Sequence, residues 1–210
     1  MRSYPCFEQQ KGIRAVIIEN NTTLIVIDTQ MGFNDPKWGE RNNSQAEANI
    51  ALLLAAWRKN DLPVIHVHHD SVSPTGIFRP GTPGHAAKPE AAPLGDEPIY
   101  HKSVNSAFIG TSLEDDLRRS GAKKLVITGL TTNHCVSTTT RMAGNLGFDA
   151  YLVSDATATF ARAHVDGRMR DAEEVHLAAL SDLRDEFATI ADTKEVLAAI
   201  ERASSEPAQA

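Results

Sequence analysis

Short β-branched apolar runs alternate along this chain with segments of helical periodicity, and that order most constrains the fold. Thr23–Asp28, Leu62–His68, Ile99–Lys102, Lys124–Thr128, Ala150–Ser154 and Phe187–Ile190 read as strands. Between and after them, Ser44–Lys59, Thr111–Ser120, His134–Leu146, Ala172–Arg184 and Thr193–Arg202 read as helices, two of them stopped by Gly121 and Gly147. In the first helix Ser44 is the expected N-cap, and Ala48, Leu52, Ala55 and Ala56 the expected apolar stripe. Strands alternating with helices of this length make βαβ units, hence an α/β fold with a parallel sheet wrapped on both faces. In such sheets chemistry gathers at the carboxyl ends of the strands.

The 210 residues divide on this reading into an arm at 1–21, one domain at 22–203 and a frayed tail at 204–210. Residues 71–98 hold six prolines and four glycines, which predicts a long loop acting as a lid, binding loop or disordered segment.

Composition excludes several classes. Apolar residues make up 41%, enough for a core, and the longest unbroken apolar run, Ile50–Trp57, is too short to span a bilayer. The N-terminal MRSYPCFEQQKG has no apolar stretch of a secretory signal. A net charge of −6 without a basic block argues against a nucleic-acid partner. The two cysteines, Cys6 and Cys135, are too few for a disulfide framework, so a cytoplasmic location is expected.

Three polar residues end or follow apolar strands: Asp28 after the first, Lys102 at the end of the third, and Cys135 beyond the fourth through Gly129–Asn133. Each has a bland reading, as a turn former, a solvated ammonium and an inert core thiol. Together at one sheet edge they form a nucleophilic constellation. Cys135 falls in the first turn of a predicted helix, where free N–H groups favour a thiolate, and Lys102 would depress its pKa further. Asp28 is then the base that takes the thiol proton and the acid that returns it to a leaving amine. The backbone N–H groups of Thr131 and Cys135 are candidates for an oxyanion hole.

Several other residues are weaker candidates. Phe33, Trp38 and Phe108 flank these motifs and line a pocket or pack the core. Arg79 in the loop binds a substrate carboxylate or stays at the surface. His66 and His68 share a strand face, the start of an H-x-H metal motif, but such motifs belong mainly to longer barrel enzymes. His69 and Asp70 are expected in the pocket wall or as partners orienting the site. His134 is expected to turn away from the Cys135 sulfur. No phosphate-binding glycine motif is present, and neither a metal nor another cofactor is predicted.

LIVIDTQMGF (24–33), HKSVNSAF (101–108) and TGLTTNHCVSTTTRMAGNLGFDAYLVSDATA (128–158) resemble the isochorismatase-like cysteine hydrolases. This superfamily includes nicotinamidases and carbamoylsarcosine, ureidoacrylate and biuret hydrolases. The resemblance implies a six-stranded parallel sheet flanked by helices, a Rossmann-like arrangement, with Asp28, Lys102 and Cys135 as the triad of a thioester mechanism. It also implies a cis peptide before Thr131 that turns this N–H toward the oxyanion, and a homodimer or homotetramer.

Two departures narrow the expectation. Isochorismatases that cleave a vinyl ether lack the cysteine, so the presence of Cys135 favours a small amide, carbamoyl or ureide substrate. Nicotinamidases carry an Asp-x-His…His metal site, whereas this chain reads His66-Val-His-His-Asp70. Vinyl-ether hydrolysis and a non-catalytic binding or redox-sensing module are the alternatives.

Overall fold

A computed structural model describes residues 15–205. Strands β1 (Thr23–Ile27), β2 (Val64–His69), β3 (Ile99–Lys102), β4 (Lys124–Leu130), β5 (Asp149–Ala158) and β8 (Thr189–Ala191) form one sheet in the order β3-β2-β1-β4-β5-β8. Every pairing in it is parallel. The remaining strands, β6 (Arg162–Ala163) and β7 (Met169–Arg170), make a small antiparallel hairpin for which the sequence carries no strand pattern.

Five helices cover the sheet: α1 (Ala46–Lys59), α2 (Leu113–Arg119), α3 (Ser137–Asn145), α4 (Ala172–Ser181) and α5 (Thr193–Ser205). All five residues of β1 are buried, and their alternation divides the core. Leu24 and Val26 pack with Ile50, Leu53, Leu54 and Trp57 of α1 and Val196 and Ile200 of α5. Ile25 and Ile27 face the opposite side, with Leu113 and Leu117 of α2, Ala143 of α3 and Leu180 of α4.

Strand order reverses between β1 and β4: β2 and β3 lie to one side, β5 and β8 to the other. That switch point opens a crevice at the carboxyl edge, flanked by the chain leaving β1 at Asp28 and the chain leaving β4 toward Cys135. The two strands approach closely there. A Cβ on Gly129, whose φ is 118°, would lie 1.9 Å from the Ile27 carbonyl oxygen.

Several boundaries differ from expectation for identifiable reasons. Helix α1 buries Ala46, Ile50, Leu53, Leu54 and Trp57, while Ala48 and Ala55 are exposed and Leu52 is 54% exposed. The run 50–57 is apolar all round, so its period cannot choose a face; the large Trp57, whose Nε1 donates to the Thr22 carbonyl at 3.1 Å, is on the side that packs. The helix begins after Gln45, without a side-chain cap, so Ser44 does not serve as N-cap. Strand β5 runs on to Ala158 because Gly129 and Leu130 continue to pair with Thr157 and Ala158 past a bulge.

Described residues on either side of the expected domain, 15–21 and 204–205, make contacts with it. Val16 and Ile18 are buried in the α1–α5 core. Helix α5 extends through Ser205, with Ser204 Oγ donating to Asn60 Oδ1 at 2.7 Å. Cys6 and residues 206–210 lie outside the described residues. Among the described residues, no helix is long and apolar enough to cross a membrane.

Candidate active site

Asp28 leaves β1 with φ at 48°, a left-handed turn that an aspartate tolerates better than most residues. Lys102 ends β3, and the register pairs it with His69 of β2, so both side chains share one face of the sheet. Lys102 Nζ donates to Asp28 Oδ2 at 2.6 Å and lies 3.4 Å from His69 Nδ1. The other carboxylate oxygen, Asp28 Oδ1, is buried without a hydrogen-bond partner among the described residues. It retains the acceptor capacity that a proton transfer requires.

Cys135 sits in a wide helical turn, Thr132–Val136, that precedes α3. The preceding Leu130–Thr131 peptide is cis. One ligand-type atom each from Asp28, His69 and Cys135 lies within 4.8 Å of the others. The same geometry would suit a cation, but the Lys102 ammonium already places a positive charge against Asp28 and His69. A divalent ion there would have to overcome it.

Burial governs the protonation of this group. It raises the Asp28 pKa, with the Lys102 charge and hydrogen bond opposing. The Cys135 thiol is pushed up to about 12 by burial and then by the Asp28 carboxylate, against the pull of Lys102. This runs against the expectation of a depressed thiol pKa, because desolvation and the neighbouring carboxylate outweigh the ammonium. Burial and the Lys102 charge lower the His69 pKa, which favours a neutral imidazole.

A cavity of about 570 Å³ opens onto these groups. Thr131 and Cys135 both line it, as do Phe33, Trp38 and His69. Its aromatic wall also includes Phe78 and Phe160: the Phe33 ring lies 4.7 Å from Phe78, and Trp38 stacks on Phe160 at 5.7 Å. At the mouth Arg162 Nη1 is 2.7 Å from His134 Nε2, and both residues line the cavity.

Two predicted pocket residues are elsewhere. Phe108 is buried in the core and stacks on Phe148 at 6.0 Å, because its segment turns inward toward α3. Arg79 is exposed and absent from the cavity wall, while its neighbour Phe78 turns inward. His66 bonds Glu97 at 2.9 Å and His68 stands beside His101, so the H-x-H pair does not face the cavity. His134, weighed only as a neighbour of the Cys135 sulfur, lines the cavity from the Thr132–Val136 turn. The residues missed from sequence are Phe78, Phe160 and Arg162, whose one advance signal is an aromatic or basic side chain in a Pro/Gly loop or beyond a strand end.

Residues 22–195 match the isochorismatase domain. The chain belongs to the isochorismatase family of hydrolases. It is 48% identical over 180 residues to the uncharacterized isochorismatase family protein YrdC of Bacillus subtilis, covering 86% of this chain and 96% of that protein. It is 30% identical to nicotinamidase 3 of Arabidopsis thaliana, over 80% of this chain and 83% of the relative. A solved isochorismatase-family structure from Chromobacterium violaceum superposes with a TM-score of 0.88 at 44% identity, covering 90% and 98% of the two chains. Its sheet and flanking helices are thus those of the isochorismatase-like hydrolases, as the sequence motifs implied.

Proposed function

We propose that this chain hydrolyses a C–N bond in a small amide, carbamoyl or ureide compound through a thioester on Cys135. The observation that carries the reading is the meeting of Asp28, Lys102 and Cys135 at the switch point of the sheet, at the end of a largely aromatic cavity. The similarity to a nicotinamidase, by its name a protein of amide chemistry, supports the same class.

The resting thiol keeps its proton, since each unit of pKa above the working pH costs about 1.4 kcal/mol. Sulfur attacks the carbonyl carbon as Asp28 takes the S–H proton, so the C–S bond forms without a standing thiolate. The oxyanion is held by the N–H groups of Thr131 and Cys135, each such donor being worth roughly 3–4 kcal/mol. Collapse breaks the C–N bond, and Asp28 hands its proton to the leaving nitrogen. Water then attacks the thioester, again losing its proton to Asp28, and the restored thiol leaves the acid as product. Lys102 fixes the carboxylate through Oδ2 and leaves Oδ1 for the proton.

The test is ammonia release by wild type and Cys135→Ala over nicotinamide, carbamoylated amino acids, biuret and ureidoacrylate. Turnover of one or more that vanishes in the variant supports the proposal. Turnover that survives in the variant overturns the nucleophile and leaves direct attack of water on the C–N carbonyl, with Asp28 as its base.

A further inference from the structure

A second group of ligand-bearing side chains gathers at the same sheet edge but outside the cavity. Asp70 follows β2, His101 precedes Lys102 in β3, and His85 closes a short turn, Pro83–His85, within the 71–98 loop. His85 Nε2 lies 2.7 Å and His101 Nδ1 2.9 Å from one and the same oxygen, Asp70 Oδ1. The three ligand atoms all fall within 4.8 Å of one another. The two rings stack with centroids 5.9 Å apart, and His68 stands edge-on to both.

Strand alternation separates this cluster from the catalytic groups. His68 pairs with His101 and His69 with Lys102, so the first pair turns to the opposite face from the second. Accordingly, none of Asp70, His85 and His101 lines the aromatic cavity.

We propose that Asp70, His85 and His101 form a binding site for one divalent transition-metal ion of the zinc type. Two imidazole nitrogens and one carboxylate oxygen are the donor set such ions prefer. Metal–ligand bonds of about 2.1 Å at a tetrahedral angle set neighbouring donors roughly 3.4 Å apart. Both nitrogens must therefore move outward from Oδ1 by about half an ångström, within reach of side-chain rotation. The ion replaces the shared hydrogens, and each ring keeps its proton on the other nitrogen. Asp70 is 30% and His101 49% exposed at the side chain, so an ion can enter and water can complete its coordination.

Charge favours this cluster over the catalytic one. Among the described residues Asp70 pairs only with imidazoles, whereas Asp28 pairs with the Lys102 ammonium. The consequence is positional. Ser71 donates to the Phe78 carbonyl at 3.1 Å, and Gln30 Nε2 bonds the carbonyls of His69 and His85 at 3.2 and 2.8 Å. An ion held by His85 would tie the loop that carries Phe78 to the strand that carries Lys102, from outside the cavity.

The experiment titrates tag-free, metal-stripped full-length protein with Co²⁺, read by its visible absorption, and with Zn²⁺, read by thermal unfolding. Wild type, His85→Ala, His101→Ala and Cys135→Ala are compared. The proposal predicts one Co²⁺ per chain in wild type and Cys135→Ala, weakened more than about tenfold in both histidine variants. It also predicts a Zn²⁺-dependent rise in melting temperature that those two variants lose. The proposal is overturned by no stoichiometric binding, leaving a hydrogen-bonded Asp–His cluster, or by binding that both histidine variants retain. Binding lost in Cys135→Ala overturns it too, since the ion then belongs to the catalytic group.

Discussion

Lys102 Nζ stands 2.6 Å from Asp28 Oδ2 with both side chains shut off from solvent, at 0% and 1% exposure. The pair joins the end of β3 to the end of β1, across the width of β2. A buried ion pair contributes little over an apolar pair of the same shape, but half of one is costly. Lys102→Met leaves the carboxylate alone and is expected to cost about 3–5 kcal/mol in urea unfolding. Adding Asp28→Asn should recover most of that loss. A single-variant cost below about 1 kcal/mol would show that the pair is solvated.

The proton-accepting role proposed for Asp28 would set the acid limb of the pH profile. Burial raises its pKa, so the carboxylate is lost on acidification at a higher pH than for a free aspartate, near 3.9. Hydrolysis should therefore decline as pH falls through that raised value, while the fold persists by circular dichroism. Asp28→Asn should remove the limb and lower kcat by roughly 10²–10⁴.

The Cys135 thiol makes an opposite prediction on the alkaline side. With its pKa pushed up to about 12, it should show no thiolate step below about pH 10. The measurement is the ultraviolet thiolate absorbance of wild type minus that of Cys135→Ala, which removes any signal from Cys6. A step near neutrality would mean that Lys102 and the helix terminus outweigh burial.

Gly129 admits no side chain. A methyl would meet the Ile27 carbonyl oxygen at 1.9 Å and its nitrogen at 2.6 Å, both rigid backbone of the central strand. At a φ of 118° the alanine backbone is strained as well. Gly129→Ala should yield unfolded or insoluble chain, whereas Gly147→Ala, with open space around its Cβ, should fold with only the modest penalty of its positive φ. Soluble expression and near-ultraviolet circular dichroism separate the two.

The strand ends were the legible part of the site. Asp28 and Cys135 follow runs whose apolar content marks them as buried strands, Lys102 ends the short, largely exposed β3, and parallel topology brings those ends to one edge. The cavity wall was not legible in the same way, because Phe78 and Phe160 owe their position to how two irregular segments fold back over the edge. Nothing local distinguishes Phe78 turning in from Arg79 turning out, nor Phe108 turning into the core. The face of α1 was unreadable for a related reason: eight apolar residues in succession carry no period. The thiol pKa is not legible in the sequence, which displays neighbouring charges but not desolvation, the larger effect here.

The most direct test of the account is rapid-quench mass spectrometry on the Cys135 peptide during turnover of an amide or ureide that the protein hydrolyses. The account predicts an acyl adduct on Cys135 that forms and decays with turnover, and no hydrolysis in Cys135→Ala. Continued hydrolysis by Cys135→Ala, with no adduct in the wild type, would contradict it.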